Sequence, residues 1–347
     1  WSNMDKKLVV VAMSGGVDSS TTAYLLQEEG YNIVGATMRL IDDEKTEKAI
    51  NDAKEVCQKL GIKHYVFDLT KEFKEIVINN FIESYKSGQT PNPCVLCNKK
   101  FKFGLFYKKA KEELNADYIA TGHYAKVENG KLISSNTINK DQSYFLYGID
   151  KEVLKHVIFP LEKYKSKDEV REVARSAGLS VSNKKDSQEV CFIPNDDYPK
   201  YLEEHMKEKA KPGNIYLEDN TIIGKHHGLI YYTIGQRKGL NISYKEPLYV
   251  LEIDTKNNAL IVGPNKSLFK TQLLANNINI LVDELPSNVL AKIRSRGDKQ
   301  EATLEKVDDK ILVTFKEPVR AITKGQSVVF YDQNNICLGG GIIEKVL

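Results

Sequence analysis

The chain has 347 residues, 41% hydrophobic and 28% charged, with a formal net charge of +3 at pH 7. That is an ordinary globular balance with room for two or three domains. No run of about 18 apolar residues occurs, which excludes a membrane-spanning helix, and the charge is too small to signify a nucleic-acid partner by itself.

Trp1, Ser2 and Asn3 precede Met4 and do not form a targeting signal, so the fold is read from Met4. Residues 8–13, Leu-Val-Val-Val-Ala-Met, are continuously apolar, as in a strand buried on both faces. Ser14-Gly15-Gly16-Val17-Asp18-Ser19-Ser20 follows and opens a helix over 18–29 that Gly30 ends. Gly15 and Gly16 let backbone N–H groups approach a pyrophosphate, and Ser14, Ser19 and Ser20 can donate from their hydroxyls. Asp18 could hold Mg²⁺ against the phosphates or cap the helix. Two glycines alone also suit an ordinary strand-to-helix turn, but the whole string is more specific. It lacks the Gly-Lys-Ser/Thr ending of the Walker-type loop. It resembles the pyrophosphatase-loop ATP enzymes, which split ATP between the α and β phosphates and put AMP on the substrate.

Residues 32–38 read as a second strand and 46–60 as a helix, with Ala49, Ala53, Val56 and Leu60 at helical spacing and Gly61 as its stop. A third strand over 64–69, a helix over 73–85 and a fourth strand over 117–121 complete a βαβα rhythm. That order argues for a doubly wound parallel sheet.

Residues 87–98 carry Gly, Thr and two prolines and read as a mobile loop that runs into a helix at Lys99. Lys99, Lys100, Lys102, Lys108, Lys109 and Lys111 crowd this stretch, as a solvated helix face or as part of a nucleic-acid footprint. Cys94 and Cys97 lie in the loop, where a helix N-terminus and nearby lysines should lower the thiol pKa. Asn129-Gly130 reads as a hairpin turn. Ser166 with Glu169 forms a capping box closed by Gly178. Residues 181–194 are irregular and hold Cys191, and 198–209 read as a helix. After Pro212, short β-rich runs, 229–234 among them, are separated by turns, as in small all-β modules. The domain boundaries follow as 4–211, 212–272 and 273–347.

The five cysteines are Cys57, Cys94, Cys97, Cys191 and Cys337. An odd count without a signal peptide suits a reducing cytoplasm rather than a secreted disulfide scaffold. Cys57 and Cys337 read as buried and inert. For Cys94, Cys97 and Cys191 three readings stand: half of a zinc site, ligands of an iron–sulfur cluster with one iron open, or a persulfide carrier with a partner thiol.

Several motifs occur in one order: residues 14–19, 91–103, Gly122-His123-Tyr124, Lys140-Asp141-Gln142-Ser143-Tyr144, 186–194, 232–240 and Gly325-Gln326. Together they resemble the tRNA-specific 2-thiouridylases, from Lys7 to the C-terminus. The resemblance implies a doubly wound α/β nucleotide-binding domain, then two small β-rich domains, the last a β-barrel contacting tRNA. It implies ATP held by Ala12, Met13, Ser14, Gly15, Gly16, Val17, Asp18 and Ser19, with Met38 and Gly122 near the adenosine. It implies adenylation of the wobble uracil O2, Cys191 as persulfide carrier and Cys97 as nucleophile. Asn92, Pro93, Cys94, His123, Lys140, Asp141, Gln142, Arg294, Ser295 and Gln326 are the implied tRNA contacts. For His123 alone, a hydrogen-bonded strand-end histidine is the alternative, and for Asp141, Gln142 and Gln326 plain surface polarity is. The implied partners are tRNAs for Lys, Glu and Gln and a sulfur-relay protein or cysteine desulfurase, in the cytoplasm. The chain departs from many members in having Cys94 in place of Asp, which puts the family's carboxylate role in doubt and raises a 4Fe–4S cluster on Cys94, Cys97 and Cys191 as the alternative to the persulfide relay. It also has Ser295 where an aromatic is common. A small-metabolite amide ligase shares the phosphate loop without needing the thiols, and an RNA-binding module would need no turnover.

Overall fold

The computed structural model describes residues 6–135, 140–186 and 190–347, so Ser187, Gln188 and Glu189 of one sequence motif lie outside the described residues. β1 (Leu8–Ala12) leads into helix α1 (Val17–Glu28), β2 (Asn32–Arg39), helix α2 (Glu44–Leu60) and β3 (His64–Asp68). β4 (Tyr118–Ala120) and β7 (Val157–Ile158) complete a five-stranded sheet of order β3-β2-β1-β4-β7, parallel throughout. The short hairpin β5 (Lys126–Glu128) and β6 (Lys131–Ile133) turns at Asn129-Gly130, as the sequence predicts.

β1 is buried on both sides because helices cover both faces. Val9 and Val11 face α1 and α2 through Ala23, Leu26, Ala53, Val56 and Cys57. Val10 faces the aromatic cluster of Phe67, Phe73, Phe81, Phe101 and Phe106. Winding reverses between β1 and β4, so the loops at their carboxyl ends meet in one crevice, the usual ligand position of an open α/β sheet.

The second face is built by two long helical runs, each with a π-helical centre. One is Thr70–Phe73, Lys74–Ile78 and Asn79–Lys86; the other is Pro93–Cys97, Asn98–Leu105 and Phe106–Leu114. The second starts earlier than the Lys99 expected from sequence. Asn92 caps it by accepting from the Val95 N–H at 3.3 Å, and Pro93 suits its first turn. Cys94 and Cys97 are therefore helical rather than on a loop. The helix expected over 198–209 ends at His205.

Two β modules follow. The first is a four-stranded sheet of order β10-β11-β8-β9, with β8 at Gly213–Leu217, β9 at Ile222–His226, β10 at Tyr249–Asp254 and β11 at Ala259–Gly263. Residues 229–234, expected as a strand, instead form a short 3-10 turn, Leu229–Tyr231, and a loop. Ile230 and Tyr232 are buried there, so an alternating burial pattern was met without a sheet partner. The second module is a closed barrel, β12-β15-β14-β13-β16-β17, with β12 at Phe269–Ile280, β13 at Asn288–Lys292, β14 at Gln300–Val307, β15 at Lys310–Arg320, β16 at Ser327–Tyr331 and β17 at Cys337–Val346.

The barrel is fused to the α/β domain by buried hydroxyls. Tyr144 donates to the Ser327 carbonyl at 2.7 Å, and the Tyr147 and Ser327 hydroxyls meet at 2.9 Å. Asn279 donates to the carbonyls of Tyr147 and Ile149 at 2.7 and 2.9 Å. Among the described residues no helix is long and apolar enough to cross a membrane.

Phe73 joins both helical runs to the Cys191 segment, edge-on to Phe101 at 5.4 Å and Phe192 at 5.8 Å. Phe73→Ala is expected to cost about 3–5 kcal/mol of stability, read from urea unfolding followed by circular dichroism; a loss near zero would show that this junction carries little.

Candidate active site

The loop after β1 bends so that its backbone faces the crevice. The Ser14 N–H donates to Ser19 Oγ at 3.1 Å, the two hydroxyls lie 3.2 Å apart, and Ser20 donates to the Gly16 carbonyl at 2.7 Å. Gly16 is the N-cap of α1 and supplies no side-chain acceptor, so first-turn N–H groups stay available to an anion. Ala12 and Met13 lie at the end of β1, with Met13 N–H on the Ala36 carbonyl at 2.8 Å. Met38 follows at the carboxyl end of β2. Gly122, after β4, presses on the loop: a Cβ there would fall 2.8 Å from Asp18 Cβ and 3.0 Å from the Ser19 nitrogen. The fold thus brings residues 12–19, Met38 and Gly122 to one end of the sheet.

Asp18 does not cap α1. It accepts no capping bond; Tyr124 donates to it at 2.7 Å, and Lys167 forms an ion pair with it. Burial, then the Asp18 charge, pushes the Tyr124 phenol far up, so it remains a donor. Both Asp18 carboxylate oxygens are thus engaged within the protein.

Lys167 was not singled out in the sequence. It stands at the start of the helix Lys167–Ser176 and also pairs with Asp186 at 2.9 Å. Arg171, one turn on, reaches Asp186 at 3.0 Å and donates to the carbonyls of Ser182 and Lys184 at 2.9 and 2.8 Å. Lys140 approaches the same carboxylate at 3.7 Å. Lys184 bonds the Gly15 carbonyl at 3.0 Å and Asp52 at 2.6 Å. Burial alone would raise the Asp186 carboxyl, but Lys167, Arg171 and Lys140 together hold it below the usual carboxylate range. The readable trace was the basic pair four residues apart behind the capping box, whose partners lie far away in sequence.

The three thiols lie within electrostatic reach of one another, and all are reduced. Although Cys94 and Cys191 present surface to solvent, protein crowds around them. Desolvation pushes Cys97 up to about 11 and Cys191 up to about 12, and raises Cys94. This corrects the lowered pKa expected from a helix start near lysines. One cation, Lys102, opposes the rise at all three thiols, and a single ammonium does not outweigh burial. Among the described residues no group of three or more His, Cys, Asp or Glu side chains converges to hold a metal ion. The donor geometry of a cluster on Cys94, Cys97 and Cys191 is therefore not met as the thiols stand. Cys57 and Cys337 are buried, with thiols raised to about 11 and about 12 by desolvation.

The residues expected to touch RNA are largely engaged inside the molecule. His123 is buried, 2.6 Å from the Thr121 hydroxyl and flanked by Phe103 and Phe159. Burial, then Lys102, depresses its pKa well below the ordinary histidine value, so it is neutral at pH 7. Asp141 accepts from Ser143 at 2.6 Å and Ser134 at 3.1 Å. Gln142 accepts the Tyr124 N–H at 2.9 Å. Arg294, after β13, donates to the Arg320 carbonyl, with Ser295 beside it. Gln326 donates to the carbonyls of Thr90 and Pro91 at 2.7 and 3.3 Å, next to Asn92 and Pro93.

Three consecutive family matches cover this architecture. Residues 7–195 match the tRNA methyl transferase HUP domain, 199–264 the tRNA methyl transferase PRC-barrel domain and 270–343 the aminomethyltransferase beta-barrel domain. The chain is 46% identical over 363 aligned positions to the tRNA-specific 2-thiouridylase MnmA of Clostridioides difficile strain 630, covering 99% of each. It is also 46% identical to that of Halothermothrix orenii strain H 168, covering 97% of this chain and 99% of the relative. The chain belongs to the tRNA-specific 2-thiouridylases. Solved structures with partial likeness include the U34-tRNA thiolase NcsA from Methanococcus maripaludis with its 4Fe–4S cluster, at 21% identity and a TM-score of 0.37 over 60% of this chain and 74% of that one. A 4-thiouridine synthetase–RNA complex with bound ATP gives 19% identity and a TM-score of 0.36, over 57% of this chain and 50% of that one.

As a member of this family the chain is a tRNA sulfurtransferase, so its thiols and its charge network both bear on activity. With Cys97 near 11, alkylation of Cys97 in the tRNA-free 2-thiouridylase is expected to quicken about tenfold per pH unit from neutrality upward; a plateau already at pH 8, by mass spectrometry, would show a stabilised thiolate instead. Asp186 stabilises the fold above its unfolded pKa of about 3.9 and loses that contribution as pH falls through its lower folded value. Asp186→Asn is accordingly expected to cost about 1–2 kcal/mol at pH 7, with the gap to the parent closing only below about pH 4. A gap that closes by pH 6 in urea titrations would assign the effect to another group.

Proposed function

We propose that this enzyme thiolates C2 of the wobble uridine of tRNA in two steps, with ATP on the loop after β1. The observation that carries the reading is the joining of that loop to the Cys191 segment: Lys167 pairs with both Asp18 and Asp186, five positions before Cys191. In the first step the uracil O2 attacks the α-phosphate, pyrophosphate leaves, and a poor leaving group becomes AMP. The N–H groups opening α1 face the phosphates, and Lys167 and Arg171 supply positive charge beside the departing pyrophosphate.

In the second step Cys191 carries a persulfide delivered by a sulfur-relay protein or cysteine desulfurase. Its terminal sulfur attacks C2 and AMP leaves. Cys97 thiolate then attacks the Cys191 sulfur, the S–S bond to the new thiouridine breaks, and a Cys97–Cys191 disulfide forms. A thiol reductant restores the two thiols. Lys102 is the cation that favours thiolate at all three cysteines. The target base must leave its stack to reach the crevice, which an anticodon loop makes cheap. Lys140, Arg294 and Ser295 contact the RNA, and the substrates are the tRNAs for Lys, Glu and Gln in the cytoplasm.

The test uses anaerobically purified protein, an unmodified tRNA transcript, ATP and a persulfide donor, with sulfide alone as the comparison, and with thiouridine resolved on a mercury gel and iron counted in the same sample. A shifted band from iron-free protein, lost in Cys97→Ala and Cys191→Ala, is expected. A band that requires bound iron would replace the persulfide step with cluster delivery. Absence of both a band and tRNA-dependent pyrophosphate release would sink the reading.

A further inference from the structure

The sequence motif around Gln326 was assigned to RNA contact, but both of its side-chain N–H bonds are aimed elsewhere. The turn between β15 and β16 reaches across to the segment that leads into the cysteine helix. The Thr90 N–H donates to the Lys324 carbonyl at 2.9 Å. Gln326 Nε2 answers by donating to the carbonyls of Thr90 at 2.7 Å and Pro91 at 3.3 Å. Between them Gly325 has φ +91°, and a Cβ there would lie 2.8 Å from the Thr90 oxygen, 2.9 Å from Gln89 Cβ and 3.0 Å from the Thr90 nitrogen. Neither a side chain nor right-handed backbone fits at that position.

The base of the turn is rigid. Gly325 N–H donates to the Ile343 carbonyl and Ile343 N–H to the Gln326 carbonyl, each at 2.9 Å. Ser327, next in sequence, is held by Tyr144 at 2.7 Å and Tyr147 at 2.9 Å. The other β module presses from a second side: a Cβ on Gly88 would lie 3.0 Å from Thr255 Cγ2 and 3.3 Å from the Ile253 carbonyl. Residues 88–91 are thus held by both modules. Asn92, immediately after, is the cap that starts the helix bearing Cys94 and Cys97. Pro91 and Pro93 have no N–H, so this stretch has few donors of its own with which to fix its position.

We propose that the Lys324–Gly325–Gln326 turn is a latch that positions the Cys94–Cys97 helix, with Gln326 a positioning residue that acts before any RNA arrives. This builds on the thiolation reading in one respect, that Cys97 is a reacting group; the latch itself is a property of the tRNA-free chain. Gln326 spends both donors on the latch, so one barrel side chain is joined directly to the two residues that precede the helix cap. Displacement of the turn is transmitted to the helix cap, because the bonded carbonyls are those of the two residues before Asn92.

The test compares the full-length chain with Gln326→Met, which keeps length and packing but removes both donors, and Gln326→Glu, which faces acceptors with an acceptor. Without tRNA, amide exchange at Thr90 is expected to quicken roughly tenfold in both variants, and alkylation of Cys94 and Cys97 to change several-fold while that of Cys337 does not. With tRNA, kcat is expected to fall more than KM rises. Unchanged exchange and alkylation without tRNA, with only KM raised, would overturn the latch and leave Gln326 as an RNA contact. If either variant unfolds, the same contact is opened by Gly325→Ala, whose added methyl must push Thr90 away and give the same exchange signature; protection retained there would also overturn the latch. Exchange and alkylation do not require turnover, so failure of wild-type thiolation would count against the function and not against the latch.

Discussion

One ammonium group ties the chemistry of this enzyme together. Lys167 sits between Asp18 on the phosphate loop and Asp186 on the approach to Cys191. Two carboxylates at that spacing would repel each other in a partly desolvated crevice; the cation turns repulsion into a link. Arg171 extends the link to the Ser182 and Lys184 carbonyls, and Lys184 returns it to Gly15. The loop after β1 and the cysteine segment are therefore coupled by charge.

The thiols show the opposite balance. Their site is crowded enough that desolvation outweighs the single favourable charge of Lys102, and each thiol is harder to ionise than a free one. The same crowding limits the access of water to the thiols. A protected site and a ready thiolate are competing demands, and in the RNA-free chain protection dominates. His123 fits this picture: it is neutral, buried and bonded to Thr121, so it shapes the crevice beside Lys102 rather than adding charge to it.

The β modules are built into the core of the α/β domain. The aromatic core of the α/β domain runs into the barrel through Val329, Tyr331 and Cys337, and the barrel turn at Gly325 is fitted against Thr90. Asp141, Gln142 and Gln326, for which the sequence offers RNA contact or plain surface polarity, bind the chain to itself.

The linear sequence carried the elements whose cause is local. A run of three valines flanked by a glycine-serine string dictates a doubly covered strand and an anion-binding turn, because burial on two faces and backbone access to phosphate each leave a contiguous mark. Asn129-Gly130, the Gly61 stop and the Ser166 cap were readable for the same reason. Contacts across distance were not. The early start of the cysteine helix depends on Asn92 and Pro93, whose signals were present but were outweighed by the loop-like composition around them. Lys167, Arg171 and Lys184 gain meaning only when the sheet winds their segment back over β1, and the thiol pKa values are set by burial that no spacing of cysteines encodes. The sequence by itself determined the doubly wound α/β layout and the thiol inventory, because periodicity and turn chemistry are local; tertiary structure decided which charges pair, how far the thiols ionise and what Gln326 holds, because desolvation and partnership arise only once distant segments meet.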